Sequence, residues 1–178
     1  DIGGRLIRLK QDLTVESVSP AAEKIARYLG IRVNVGQRTS IQDLEQITDK
    51  MADLLAQALY IKPQEPLLQE IKTPGSSQLD LQGKRISRIC FSGGVADCIQ
   101  QEHPPLKFGD IGPALGKAIR KSRLCSGEYR LGEQTIRATV IGAGCHSTQL
   151  SGSTVYHRNV DLPMKNLEVV PMTAGQSG

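Results

Sequence analysis

The chain contains no tryptophan, and aromatic residues make up only 3% of its 178 positions. Proteins that hold single-stranded nucleic acid stack the bases on aromatic side chains, and membrane proteins carry aromatic girdles, so neither class is favoured. No apolar run approaches the roughly 18 residues that a membrane span needs, and no basic segment followed by an apolar core opens the chain. We therefore expect a soluble cytoplasmic protein with neither a nucleic-acid nor a membrane partner.

Charge of one sign is also scarce. Lys and Arg total 22 against 18 Asp and Glu, so the net charge is only +4, and no long block of like charge occurs. With 39% hydrophobic residues, the 178-residue chain can form one globular domain or two small lobes. A disordered chain and a dedicated nucleic-acid surface are both disfavoured.

Cysteine is sparse and irregularly spaced. Cys90, Cys98, Cys125 and Cys145 include no pair two residues apart and no accompanying histidine cluster, which argues against a zinc site. Cys145 and His146 are neighbours and would be a nucleophile and its base, but adjacent side chains on a strand point to opposite faces. We favour ordinary thiols in a reducing compartment over catalysis there.

Two familiar signatures are missing. No glycine is followed by Lys-Ser or Lys-Thr, which excludes a P-loop ATPase. The chain also opens on DIGGRLI without an initiator methionine, so we expect a fragment of a longer protein.

Helix signals are clear in the first third of the chain. Ser19 and Pro20 mark the start of a short helix that ends at Gly30. Ser40 is expected to cap a long helix over residues 41–60, because the apolar residues that follow recur at three- and four-residue spacing.

Strand and loop signals surround these helices. Leu6, Leu9, Leu13 and Val15 lie among polar residues, which predicts two short strands with a turn near positions 11 and 12. Residues 63–84 are rich in proline, glycine and serine and predict a linker or an exposed excursion. Residues 135–160, rich in β-branched side chains, predict two further strands.

The segment CFSGGVADC, residues 90–98, interrupts a strand with two glycines and continues into a helix over residues 95–101. Two adjacent glycines indicate that something approaches the backbone closely, and a strand, a tight glycine turn and a helix are the order found at many phosphate sites. The alternative is that the turn needs glycine only for left-handed backbone. Further on, Asp110 is expected to cap a helix with a basic last turn.

A Gly-Gly pair near the start and a second one between strand and helix resemble the second half of the actin-like, sugar-kinase and chaperone ATPase superfamily. ICFSGGVADCI is similar to its adenosine motif. The segments GGRLI, SPAAEKIA, FSGGVADCI, FGDIGPALGKAI and TIRATVIGAGCHSTQLSGSTVY, the last followed by LPMKNLEV, together resemble the ethanolamine ammonia-lyase reactivating factors. The resemblance extends from Gly3 to about Val169.

This resemblance implies an α/β fold of the actin-like ATPase, or ribonuclease-H-like, kind, with a mixed sheet flanked by helices. Residues 1–178 would form the second, C-terminal lobe, and residues 31–62 a helical subdomain inserted in it. No Asp-X-Gly-Thr phosphate-loop signature occurs in the chain. The N-terminal lobe that carries the metal-binding aspartates is therefore expected to be absent.

The family pattern also implies a nucleotide site. It places Ser92, Gly93 and Gly94 against the adenosine and ribose-phosphate side of a cleft, and Gly3 and Gly4 near the phosphates. A Cβ at position 93 or 94 would hold the ligand away from the backbone.

The same pattern puts Asp110 on the rim of the cleft, and it assigns neither a catalytic residue nor a metal ligand to this chain. The full-length protein would use ATP and magnesium to release damaged cobalamin from inactivated ethanolamine ammonia-lyase. The implied partners are that lyase and an adenine nucleotide, with no tightly bound cofactor in this fragment. The implied location is the bacterial cytoplasm, in association with a microcompartment, and an oligomer is left open.

Two alternatives come from other classes. The chain would be a protein-interaction lobe that docks on the lyase without binding nucleotide, or part of a small-molecule kinase of the same superfamily. The kinase would need an aspartate base, which this chain does not supply. Whether the fragment alone is an ATPase is open, and we expect no catalysis by the fragment itself.

Overall fold

The computed structural model describes residues 2–73, 81, 83, 84 and 86–132. All of them lie in the first of two compact units, residues 1–146. The strands predicted over residues 135–160 and the Cys145–His146 pair lie outside the described residues.

Helices and short strands alternate through the described part of the chain. The elements are β1 Ile7–Leu9, β2 Val15–Val18, α1 Pro20–Tyr28, α2 Ile41–Ala58, α3 Pro66–Ile71, β3 Ile89–Phe91, α4 Gly94–Gln100, α5 Gly112–Lys121 and β4 Tyr129–Leu131, with 3₁₀ turns at Gly4–Leu6 and Arg123–Cys125. The predicted mixed α/β class is confirmed.

The strands form two small sheets. β1 pairs with β2 in antiparallel fashion, as predicted, and β3 pairs with β4 in parallel fashion with Ile89 opposite Tyr129. Among the described residues these are two separate two-stranded sheets and not the single mixed sheet we expected. The second edge of β1 is occupied by a loop, because the Leu9 N–H donates to the Gly109 carbonyl at 2.9 Å.

The two predicted helix starts are confirmed. The Ser19 hydroxyl accepts a hydrogen bond from the Ala22 N–H at 3.2 Å, and the Ser40 hydroxyl accepts one from the Asp43 N–H at 3.0 Å. Each bond satisfies a donor that the first turn of a helix leaves unpaired. Sequence reasoning therefore located both N-termini to the residue, and both helices end two residues before the predicted ends.

One hydrophobic core joins the helices to the first sheet. Ile47, Met51 and Leu54 of α2 are fully buried and belong to the same cluster as Ile7 of β1 and Leu115 of α5. The helix that the sequence assigns to a subdomain over residues 31–62 thus shares its core with the rest of the described chain.

The linker prediction for residues 63–84 is wrong for Pro66–Ile71, which forms α3. Pro66 occupies the first helical position, where its missing N–H costs nothing, so the proline starts this helix instead of breaking it. Leu67, Leu68 and Ile71 are buried and hold α3 against the core.

Candidate functional site

The second glycine turn connects β3 to α4. Gly93 has φ 86° and ψ −179°, a conformation that is essentially restricted to glycine, and Gly94 is the first residue of α4. A Cβ built on Gly93 would meet no atom within 4 Å, and Ser92 is exposed. Glycine is therefore required here by the backbone, and the space beside it is open to a ligand.

The two residues of the first glycine turn, Gly3 and Gly4, differ in the space beside them. A Cβ on Gly4 would lie 2.8 Å from the Cα of Gly112, the first residue of α5, so Gly4 lacks a side chain because the backbones pack closely there. Gly3 has extended backbone at φ −167°, and a Cβ on it would meet nothing within 4 Å. Only Gly3 thus leaves room beside it for another group.

The prediction that Asp110 caps α5 is wrong by one residue, because Ile111 is the cap position and the helix starts at Gly112. Asp110 Oδ1 accepts the Gly112 N–H at 2.8 Å and would lie 3.2 Å from a Cβ on Gly4. The carboxylate is therefore engaged at the start of the helix, and the first glycine turn is joined to the same place by the Ile111 N–H, which donates to the Gly4 carbonyl at 3.2 Å.

Helix α5 connects the two predicted halves of the site. Gly4 and Asp110 meet at its N-terminus, while α4, which begins at the second glycine turn, packs along it where Gly116 faces Cys98. Gly4 and Asp110 are thus in contact at the start of α5. Ser92, Gly93 and Gly94 lie at the start of α4, and α4 packs against the same helix.

Two negative results limit the chemistry of the described residues. None of their His, Cys, Asp and Glu side chains form a group of three or more that could hold a metal ion. None of the helices within residues 2–132 that the structure describes is long and apolar enough to cross a membrane.

Sequence reasoning missed a polar cluster on α2. Lys50 and Asp53 lie on the polar side of α2, yet their side chains are only 15% and 23% exposed. Lys50 and Glu65 form an ion pair, and the buried Gln57 amide donates to Asp53 Oδ2 at 2.8 Å and to Glu65 Oε1 at 2.5 Å. No pattern near position 65 signals this contact, because it depends on the chain returning along α2.

The polar cluster has shifted pKa values. Burial opposes the charged forms, but the hydrogen bonds and charges of Lys50, Lys62 and Gln57 outweigh it and lower the pKa values of Asp53 and Glu65. Burial likewise opposes the Lys50 ammonium, yet its bond to Glu65 raises the pKa of Lys50. The cluster therefore consists of ions that stabilise the join between α2 and the segment leading to α3.

This cluster should make stability depend on pH. Carboxyls with lowered pKa values stabilise the fold fully above their ordinary values of 3.8 and 4.5, and that contribution is lost as pH falls through the lowered values. Lys50 stabilises the fold fully below pH 10.5, the ordinary pKa of lysine, and this stabilisation is lost as pH rises through the raised pKa. The free energy of unfolding, measured by urea denaturation, should fall less between neutral and acid pH in Lys50→Met than in the unmodified chain. Equal acid losses in both proteins would contradict this role.

The chain is similar to known proteins over nearly its whole length. The family model described as ethanolamine utilisation protein EutA matches residues 1–177. Relatives from Salmonella typhimurium LT2 and Escherichia coli K12, both named ethanolamine ammonia-lyase reactivase EutA, are 35% identical over 172 residues, which is 95% of this chain. The chain spans only 36% of the length of each relative. No solved structure matches it.

Proposed function

We propose, since the chain belongs to the EutA family of ethanolamine utilisation proteins, that it forms part of a reactivating factor for ethanolamine ammonia-lyase. The observation that carries this proposal is the family match over residues 1–177, supported by two relatives named as reactivases of that lyase. The factor would release damaged cobalamin from the inactivated lyase with the help of ATP, and this chain would be its actin-like C-terminal lobe.

The adenine nucleotide would lie against the second glycine turn. The open space beside Gly93 supports this placement, because a ligand there meets backbone and not a side chain. Ser92, exposed next to it, offers a hydroxyl that can donate to or accept from a ribose or phosphate oxygen. ATP would supply the free energy of hydrolysis when bound.

In the first glycine turn only Gly3 would approach the phosphates, whereas the family pattern implies that both Gly3 and Gly4 do. Gly3 has open space and could approach the phosphates, whereas Gly4 is closed by α5 and the Asp110 carboxylate holds the start of that helix. In this proposal Gly4 and Asp110 position the turn, and Gly3 makes the approach. No group of three or more potential metal ligands occurs among the described residues, so we assign none of them to magnesium.

Isothermal titration with ADP and magnesium tests the nucleotide site. Gly93→Ala should weaken binding at least about tenfold, because the Cβ strains the turn and occupies the space where the ligand would lie. Gly36→Ala is the matched control: Gly36 also has positive φ, at 81°, and open space around it, but it lies in the loop before α2. This control should keep wild-type affinity.

The outcomes separate the two candidate roles. Binding that is lost in Gly93→Ala and kept in Gly36→Ala supports the nucleotide lobe. No ADP binding by the folded unmodified chain, together with nucleotide-independent capture of purified ethanolamine ammonia-lyase, would favour the docking lobe instead.

A further inference from the structure

A pocket separate from both glycine turns lies between the first turn of α2, the end of α4 and one face of α5. Its volume is about 150 Å³, and its floor is apolar, formed by Ile41, Leu44, Ile111 and Pro113. A cavity of about this size accommodates a benzene-sized group when its walls are apolar. The pocket can therefore take one ring or a short branched chain.

Two ion pairs flank this floor. Arg120 pairs with Glu102 at 2.5 Å and Lys117 pairs with Glu45 at 2.7 Å, and all four residues line the pocket. In the first pair the guanidinium is the inner partner, because the Arg120 side chain is 30% exposed and that of Glu102 is 80% exposed. Glu102 can move into solvent at little cost, since exposed ion pairs contribute little stability.

A further cation stands at the edge of the pocket. His103 lines it, and the Lys107 ammonium lies 3.1 Å from Nδ1 of His103 and 5.2 Å from the ring centre of the exposed Phe108. No carboxylate is paired with Lys107 among the described residues. The two cations and two carboxylates that line the pocket balance, and outside the lining Lys107 is accompanied by Asp97 and Asp110, which also act on Cys98.

We propose that this pocket binds a small organic carboxylate with an apolar body of about benzene size. The body would cover the apolar floor, and the carboxylate would replace Glu102 on the planar Arg120 guanidinium, which can donate two parallel hydrogen bonds to it. Lys117 and Lys107 favour the same sign of charge. An amine of equal size carries the same charge as Arg120, so it cannot replace Glu102 as the partner of the guanidinium.

NMR titration of the ¹⁵N-labelled chain at constant ionic strength tests the proposal with three probes of similar shape: benzoate, benzylamine and benzyl alcohol. Benzoate should shift the amide signals of Cys98, Ala114 and Lys117, which line the pocket. The amine and the alcohol should bind at least about tenfold more weakly, the usual effect of removing a charge-assisted hydrogen bond. Equal affinity for benzylamine, or no shift with benzoate, would overturn the proposal.

Two variants identify the contacts. Arg120→Gln should weaken benzoate binding about tenfold, whereas Lys121→Gln, an exposed cation on the next position of α5 that does not line the pocket, should leave it unchanged. Ala114→Leu should fill the pocket and abolish binding of all three probes. If Ala114→Leu does not fold, the Arg120 and Lys121 pair still decides the matter, because unchanged affinity in Arg120→Gln refutes the carboxylate contact.

Discussion

Gly116→Ala is expected to lower the free energy of unfolding by about 2 kcal/mol or more, although alanine is the better helix former. Gly116 lies within α5, and a Cβ there would be 2.6 Å from the carbonyl oxygen of Cys98 and closer still to its carbonyl carbon and Cβ. These atoms belong to α4, whose Ala96, Cys98 and Ile99 are buried, so a shift of α4 away from Gly116 would disturb that packing. Urea denaturation followed by circular dichroism measures the difference.

The sign of this effect is diagnostic. In an unpacked helix, exchanging glycine for alanine stabilises by about 1 kcal/mol, so a gain in stability would show that α4 and α5 do not pack as closely as described. Gly127→Ala is the control, because a Cβ there meets nothing within 4 Å. It should change the free energy of unfolding by no more than about 0.5 kcal/mol.

Gly116 also shows where sequence reasoning about the fold stops. Local signals were sufficient for Ser19 and Ser40, since a hydroxyl before a periodic apolar run caps a helix wherever the helix goes. Gly116 has no such local signal. Glycine is needed there because α4 packs closely against α5, and this contact exists only in the folded structure. The same holds for Leu67 and Leu68, whose burial depends on contact with the core and not on their proline-rich surroundings.

The candidate site divides in the same way. Gly93 could be predicted, because two glycines between a strand and a helix demand unusual backbone, and the φ of 86° confirms that demand. Gly4 carries an identical sequence signal but a different cause, namely the close approach of Gly112. A glycine pair in a sequence therefore does not distinguish a residue that makes room for a ligand from one that makes room for a helix. The pocket beside Arg120 carries no local signal at all, since its walls come from three separate segments.

Gln57→Leu should destabilise the protein by about 1–3 kcal/mol, because it removes a buried amide that bonds to a cluster of half-buried charges. Gln57 is only 4% exposed, and leucine is an apolar side chain one heavy atom smaller, so the substitution removes the polar contacts from a buried position and keeps it filled for the most part. Those contacts are donations to the Asp53 and Glu65 carboxylates and a bond accepted from the Glu65 N–H at 3.1 Å. Leucine would leave that N–H without its acceptor and would remove one of the donors that each carboxylate has, while Lys50 still faces both carboxylates.

Gln42→Leu provides the matched control, since Gln42 is exposed on the same helix and should change stability by no more than about 0.5 kcal/mol. A comparable small effect of Gln57→Leu would mean that water satisfies the carboxylates when the amide is removed. A large effect would show that the amide holds Glu65, and with it the start of α3, against α2. In that case the segment after α2, which the sequence presents as a linker, depends on a side chain one residue from the end of the helix as well as on the Lys50–Glu65 ion pair.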